Sequence, residues 1–129
     1  MSLIRNRDYA QQIVDFGGLR YGAISPTDID AFLDFGDRLF VFVEAKHGDA
    51  EMSRGQAWAL ARLVDAAHNP PSRFAVALIC SHETDGDVDL AKAEVTRIRW
   101  CKKWRRPYSQ HVTVRAAIDE FRGKYLKVA

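Results

Sequence analysis

The sequence predicts a single α/β domain in which a mixed central sheet is flanked by helices. Two strand-like runs are separated by a short turn-forming break, and a longer amphipathic segment separates the second run from a third. The first pair should form an antiparallel hairpin, whereas a helix between two strands implies a crossover that makes those strands parallel. The 129 residues, 47% of them hydrophobic, are enough for one core, so we expect residues 1–129 to form one domain.

The first predicted elements are a helix and a short strand. Arg5 to Phe16 has a moderately amphipathic pattern, and Gly17-Gly18 follows it with the conformational freedom that a helix stop needs. Leu19 to Ile24 reads as a short strand. Pro26 disfavours a helical conformation for the residue before it, so we expect residues 25–27 to be an extended segment or a turn.

A hairpin is the clearest motif in the chain. Ile29 to Phe35 and Leu39 to Lys46 are strand-like runs, and the break between them, Gly36-Asp37-Arg38, has the length that hairpin turns use. We expect these runs to pair antiparallel, which returns residues 28–30 to the side of residues 43–46.

The amphipathic segment from Ser53 to Ala67 is the most strongly indicated helix. Ser53 followed by Gln56 has the spacing of a capping box. Phe74 to Cys80 is a continuous apolar run, which is typical of a strand buried on both faces. The remaining predicted elements, in chain order, are an acidic loop at Glu83 to Asp89, a further edge strand at Val95 to Trp100 and a C-terminal helix at Thr113 to Leu126.

Composition limits the compartment and the class of partner. Cys80 and Cys101 are isolated and lack the spacing of a disulfide framework or a zinc site, so a reducing cytoplasm is expected. No apolar run approaches the roughly 20 residues that span a bilayer, and the first residues lack a signal-peptide pattern. We expect a cytoplasmic protein with no membrane partner. The net charge of +2 neither requires nor excludes a polyanion.

Ionisable side chains converge where the predicted hairpin ends. Glu44 and Lys46 are two residues apart on one strand and therefore project from the same face, whereas His47 faces the other way. The hairpin returns Asp28 or Asp30 to the side of Glu44. Carboxylates that meet away from water raise each other's pKa unless a cation joins them, so a divalent metal would resolve this arrangement.

The chain has Thr-Asp-Ile-Asp at positions 27–30, Glu-Ala-Lys at positions 44–46 and a following helix that begins with Gly55-Gln56. These motifs give residues 5–80 a resemblance to the PD-(D/E)XK nuclease superfamily, including its small resolvase-like and phage-type members. It implies a restriction-endonuclease-like fold and a hydrolase that uses Mg²⁺, or Mn²⁺, to cleave nucleic acid. The literal Pro-Asp of the motif is absent, since Thr27 separates Pro26 from Asp28.

The resemblance also implies roles for individual residues. Asp30, with Asp28 as the alternative, would be the first metal ligand; Glu44 and the main-chain carbonyl of Ala45 would complete the protein's share of the oxygen shell. The catalytic residues would be Asp30, Glu44, Lys46 and Gln56.

Within that set, Lys46 would orient the attacking water and offset charge on the phosphoryl group. Gln56 would reach the site from the helix, although helix capping alone also explains a glutamine at this position. Leu60 stands where some branches of the superfamily have a tyrosine, which argues against close kinship with those exonucleases.

The segment RIRWCKKWRRPY, residues 97–108, combines basic and aromatic side chains. This composition is typical of a surface that contacts phosphates and stacks on bases. Alternatively, it is an edge strand whose tryptophans belong to the core and whose lysines prevent aggregation. The candidate nucleic-acid-binding residues are Arg97, Arg99, Lys102, Lys103, Arg105 and Arg106.

Three classes of function stay open on the sequence alone. The first is a metal-dependent nuclease, with DNA as the expected substrate and cleavage as an endonuclease that depends on DNA structure rather than on base sequence. Resolution of a four-way junction would need two active sites and therefore a homodimer. The second is a noncatalytic nucleic-acid-binding or assembly module on a nuclease fold, and the third is an unrelated small α/β ligand-binding domain. The fold alone does not separate them, so the site must.

Overall fold

The computed structural model describes residues 17–126, and the predicted helix at Arg5 to Phe16 lies outside these residues. Within them the chain forms an α/β structure with a five-stranded mixed sheet and a helix on each face. The elements are β1 (Ala31–Phe35), β2 (Leu39–His47), α1 (Arg54–Ala67), β3 (Phe74–His82), β4 (Glu94–Trp100), β5 (Lys103–Arg105) and α2 (Val114–Tyr125), with short 3-10 helices at Gly17–Leu19 and Leu90–Lys92. The strands lie in the order β1-β2-β3-β4-β5.

The predicted hairpin is confirmed. β1 and β2 pair antiparallel with Ala31 opposite Val43, and the strand begins at Ala31 rather than at Ile29. Gly36 and Asp37 both have positive φ angles, 64° and 63°, which closes the tight turn that matches the twist of the two strands. Asp37 tolerates this backbone because its amide donates to the Asp34 carboxylate at 2.7 Å.

The predicted helical crossover is also confirmed. β2 and β3 pair in parallel from Leu39 opposite Phe74 to His47 opposite His82, and α1 connects them. A parallel pair cannot be closed by a tight turn, so the chain has to return over one face of the sheet. The Ser53 hydroxyl caps α1 by accepting a hydrogen bond from the Gln56 amide at 3.1 Å.

Side chains of β2 alternate between two apolar layers. Leu39, Val41 and Val43 pack into the larger cluster, which contains the inner face of α2. Phe42 points to the opposite face and packs with α1 residues such as Leu60. Because alternate residues share a face, the side chains of β2 after Phe42 that lie on the α1 face are those of positions 44 and 46.

The predicted strand at Leu19 to Ile24 is wrong. Gly17–Leu19 forms a 3-10 helix, and the only pairing in this region is an isolated bridge between Tyr21 and Ile24, with the Tyr21 amide 2.8 Å from the Ile24 carbonyl. Leu19, Tyr21 and Ile24 are all exposed, so in residues 17–126 they have no apolar layer on which a strand could pack.

The predicted edge strand at Val95 to Trp100 is present as β4, but it is not at the edge. β5 pairs with it antiparallel across a two-residue turn of Cys101 and Lys102, and β5 forms the edge. Both turn residues have positive φ angles, 52° and 64°, and neither is the glycine or asparagine that usually indicates such a turn. The hairpin is therefore hard to detect in the sequence.

The other predicted elements are found close to their expected bounds, including the acidic loop and the C-terminal helix, which runs over Val114–Tyr125 with Thr113 as its N-cap. Cys80 is buried, Cys101 is exposed, and both are free thiols. None of the helices in residues 17–126 is long and apolar enough to cross a membrane.

We predict that Leu78→Ala lowers the free energy of unfolding by about 2–5 kcal/mol, because Leu78 is fully buried at the centre of β3 and the lost side chain leaves a cavity. Leu63→Ala is the matched control, since Leu63 lies on α1 with 42% of its surface exposed and should cost about 0.5 kcal/mol or less. Urea denaturation of both variants measures the difference, and equal costs would contradict the core described above.

Candidate functional site

The site begins with Asp30, which immediately precedes β1. The main-chain amide of Asp30 donates to the Val43 carbonyl at 3.1 Å, and its carboxylate oxygen Oδ2 accepts a hydrogen bond from the Ala45 amide at 2.7 Å. These two bonds lie just beyond the last register pair, Ala31 with Val43, and place Asp30 beside Glu44. The antiparallel hairpin therefore brings together two acids that are 14 positions apart in the chain.

Glu44 is the only buried charged side chain in residues 17–126, with 4% of its surface exposed. Burial raises the pKa of its carboxyl group, the negative charge of Asp30 raises it further, and Lys46 lowers it in part. The carboxylate oxygen Oε1 lies 3.6 Å from the Lys46 ammonium nitrogen. The other oxygen, Oε2, is buried and has no hydrogen-bond partner in the described part of the chain. A buried acceptor without a partner is costly and indicates a place for a cation or water.

Lys46 and Gln56 form a direct contact across the β2–α1 connection. The Lys46 ammonium donates to the side-chain oxygen Oε1 of Gln56 at 2.9 Å. Capping of α1 uses the main-chain amide of Gln56, as described above, so its side chain is left to bind Lys46. Capping thus does not account for the Gln56 side chain. The glutamine holds the ammonium group beside Glu44.

Ala45 and Asp28 complete the predicted donor set. The Ala45 amide points towards Asp30, and in an extended strand the carbonyl of the same residue points to the same side, so the Ala45 carbonyl faces the open edge beyond β1. Asp28 is exposed and has the weakest effect of the named charges on the pKa of Glu44. Asp30 is therefore better placed than Asp28 to share a cation with Glu44.

This donor set fits one kind of metal site. In residues 17–126 no three histidine, cysteine, aspartate or glutamate side chains are grouped to hold a metal. A cation here would take the carboxylates of Asp30 and Glu44, the carbonyl of Ala45 and several water molecules. Oxygen ligands with retained water suit Mg²⁺ or Mn²⁺ and do not suit a closed zinc site.

The six basic candidates are divided between the two faces of the sheet. Glu44 pairs with Ile79, and Ile79 pairs with Arg97, so Arg97 lies on the α1 face about 10 Å from Glu44 at the usual strand spacing. Arg97 is exposed and its guanidinium lies 4.8 Å from the centre of the Trp104 ring. Arg99 is half-buried and forms two hydrogen bonds, 3.1 and 2.5 Å, with Asp65 on α1.

The other basic candidates lie further from Glu44. Lys102 and Lys103 are at the β4–β5 turn, which is at the opposite end of the sheet because β4 runs antiparallel to β3. Arg105 lies 5.0 Å from the centre of the Trp100 ring and donates to the Trp100 carbonyl at 3.1 Å. Arg106 follows β5 and is exposed. These four side chains do not line the same cleft as Glu44.

The tryptophans of this segment pack against the core. The Trp100 indole donates to the Tyr125 hydroxyl at 2.6 Å, and Trp104 packs with the apolar cluster under α1. Both are half-buried. Of the three aromatic side chains, only Tyr108 is left exposed. Packing in the core therefore accounts for the tryptophans, while five of the six basic side chains, all except Arg99, are exposed at the surface.

Two features near the site were missed in the sequence. A groove of about 750 Å³ lies beside Gln56, between residues 23–28 and the exposed side of α1. The sequence pattern that indicates this groove is the four-residue spacing of Arg54, Trp58 and Arg62. A smaller cavity of about 320 Å³ is lined by Asp30 and Ala45 together with His82, whose position in the sequence gives no sign that it lies near them.

Comparison with known proteins identified no relative of this chain. No protein-family model matches the chain, and no curated protein or solved structure matches it significantly.

We predict that Glu44→Gln removes a pH-dependent loss of stability. Because the folded pKa of Glu44 lies above its usual value of 4.5, the folded state keeps a proton that the unfolded chain has released. Stability should therefore fall as pH rises from 4.5 through the raised pKa, and the glutamine variant should lack this fall. Urea denaturation over this range in chelator measures it. Glu83→Gln, in the exposed acidic loop, is the control, and parallel curves for wild type and Glu44→Gln would contradict the account.

We further predict that Arg105→Gln with Arg106→Gln weakens binding to duplex DNA. If both side chains neutralise phosphates, the slope of log affinity against log salt should fall by about one to two. Binding measured in chelator over a salt series gives the slope. Arg115→Gln, an exposed substitution on α2, is the control. An unchanged slope would assign Arg105 and Arg106 to the structure alone.

Proposed function

We propose that the protein is a metal-dependent nuclease of the PD-(D/E)XK type on a restriction-endonuclease-like fold. The observation that carries this proposal is the buried oxygen Oε2 of Glu44, which has no partner in residues 17–126 and lies in a site with Asp30 and Lys46. A buried acid beside a second acid lowers the stability of a protein unless positive charge compensates for both, and Lys46 offsets only part of this cost. Binding of a metal cation would account for the two neighbouring acids, whereas core packing does not.

The residues of the site suit hydrolysis of a phosphodiester. Asp30, Glu44 and the Ala45 carbonyl would hold Mg²⁺ or Mn²⁺, which when bound supplies Lewis-acid stabilisation to a phosphoryl oxygen. Lys46 is the catalytic cation of the chain itself: its ammonium can donate to the attacking water or to a phosphate oxygen. Gln56 is a positioning residue that fixes this ammonium, at 2.9 Å from its side-chain oxygen.

We propose DNA as the substrate, with cleavage that depends on DNA structure. In residues 17–126 both helices pack on the single sheet, and no separate recognition helix projects from it. Reading a base sequence usually needs a helix or ribbon that enters the major groove. A branched substrate such as a four-way junction would be cut at two positions, so this substrate would require a homodimer.

The direct test is incubation of the purified protein with linear, nicked, single-stranded and four-way-junction DNA. We expect cleavage with Mg²⁺ or Mn²⁺, none with chelator, and faster cleavage of the branched or single-stranded substrates. Absence of cleavage on every substrate in both metals would contradict the proposal.

A noncatalytic nucleic-acid-binding module is the second candidate. It is favoured by the position of Lys102, Lys103, Arg105 and Arg106, which lie on a part of the sheet away from Glu44. The two candidates separate in the same experiment, because a binding module would retain DNA in chelator and leave it uncut in Mg²⁺.

We predict that Lys46→Ala lowers the cleavage rate by about two to three orders of magnitude, the scale of losing one donor to the transition state. The thermal midpoint in Mg²⁺ should change little, because the metal already neutralises Asp30 and Glu44. Lys124→Ala is the control, since Lys124 is exposed near the end of α2 and contacts Trp100, at the end of β4 far from the site.

The alternative role of Lys46 is charge balance, and it gives the opposite pattern. The variant would then be less stable, and Mg²⁺ would raise its thermal midpoint more than that of the wild type. A Lys46→Ala protein that cleaves at nearly the wild-type rate would exclude Glu44-Ala45-Lys46 as an active site.

A further inference from the structure

Three side chains of α1 form a stripe that the proposed chemistry does not use. Arg54, Trp58 and Arg62 are spaced at four-residue intervals, so they lie on one side of the helix over about 12 Å of its axis. Trp58 is 57% exposed, and the Arg62 guanidinium lies 5.4 Å from the centre of its ring. The stripe thus presents a large aromatic ring between two positive charges.

The stripe borders the groove of about 750 Å³ beside α1, which is a volume typical of sites for nucleotide-sized ligands. Trp58 and Arg62 line this groove. So do Gln56, which holds Lys46, and Asp28, which precedes the first acid of the site. The groove therefore adjoins the candidate active site.

The side chains of the stripe favour single-stranded over double-stranded nucleic acid. An exposed indole stacks on the face of a base, and an adjacent guanidinium contacts phosphate or stacks as well. A duplex does not offer that face, because its bases are already stacked on one another. A single strand offers both an open base face and a flexible chain of phosphates, which the two arginines complement in charge.

We propose that this groove binds a single-stranded segment of the substrate and leads it to Glu44 and Lys46. Trp58 stacks on a base, while Arg54 and Arg62 contact the flanking phosphates. The inference rests on the proposed nuclease function, because only that activity would cleave the bound strand. It specifies the substrate as nucleic acid with a single-stranded stretch beside the cleavage point.

Binding is tested on the full chain in chelator, so that no cleavage occurs. The probe is a fluorescein-labelled oligothymidylate, compared with a duplex of the same length. Trp58→Ala should weaken single-strand binding by about tenfold or more, while Trp58→Phe keeps most of the affinity. Leu63→Ala, on the same helix and outside the groove lining, should leave affinity unchanged.

The arginines are tested by salt dependence. Arg54→Gln with Arg62→Gln should lower the slope of log affinity against log salt by about 1.4, which is about 0.7 for each phosphate contact on a single strand. This double variant also keeps the inference testable if Trp58→Ala does not fold.

Three results would overturn the inference. The first is equal affinities for Trp58→Ala and Leu63→Ala. The second is a loss of duplex binding in Trp58→Ala as large as its loss of single-strand binding. The third is self-association that Trp58→Ala abolishes, which would assign the groove to a second copy of the chain. Failure of the nuclease proposal gives a different result. In that case Trp58-dependent binding persists in chelator, but wild-type protein leaves the bound strand uncut in Mg²⁺.

Discussion

The parallel pairing of β2 with β3 is the constraint on which the rest of the structure depends. It runs over nine residue pairs, from Leu39 with Phe74 to His47 with His82. Because parallel strands need a crossover, α1 has to start near the carboxyl end of β2 and return over the sheet. Its first turn therefore lies above Lys46, which is how Gln56 comes within 2.9 Å of that side chain. The site lies at the carboxyl end of β2, where ligands of α/β sheets commonly bind.

The same burial that stabilises the sheet makes the site energetically costly. Cys80, the neighbour of Ala45 on β3, shows how strongly this part of the sheet is shielded from water. Burial, with smaller effects from the carboxylates of Asp30 and Glu44, raises the pKa of its thiol to about 12. Cys80 is therefore neutral at physiological pH and donates weakly to the Glu44 carbonyl at 3.6 Å. On the opposite face of the sheet, burial likewise makes Glu44 unfavourable as an isolated anion, and Lys46 offsets only part of its cost.

Two of the basic surfaces of the described chain lie apart from each other. One is the stripe of α1, which borders the groove beside Gln56. The other is the β4–β5 hairpin, where Arg105 and Trp100 contact each other on the α2 side of the sheet. Arg99 belongs to neither surface, because its ion pair with Asp65 attaches β4 to α1. A nucleic acid that contacted both surfaces would have to pass around an edge of the sheet, because the stripe lies on the α1 side and Arg105 on the α2 side.

The sequence by itself determined the hairpin, the crossover and the faces of the strands. The reason is that periodicity, turn residues and the capping signal of Ser53 are local properties, and each predicts its element without reference to distant residues. It also determined that Glu44 and Lys46 share a face, since alternation on a strand needs no tertiary information. The wrong prediction at Leu19 to Ile24 has the same origin, because a local apolar pattern does not reveal whether a partner layer exists.

Only the tertiary structure decided what surrounds those residues. The register of β1 on β2 placed Asp30, rather than Asp28, beside Glu44, where the Asp30 amide donates to the Val43 carbonyl and the Asp30 carboxylate accepts from the Ala45 amide. The crossover placed the Gln56 side chain on Lys46 and left Oε2 of Glu44 without a partner in residues 17–126. Antiparallel pairing of β4 and β5 carried most of the basic segment away from the site. Such contacts join residues far apart in the chain, and their distances depend on how complete layers pack, which no local pattern specifies.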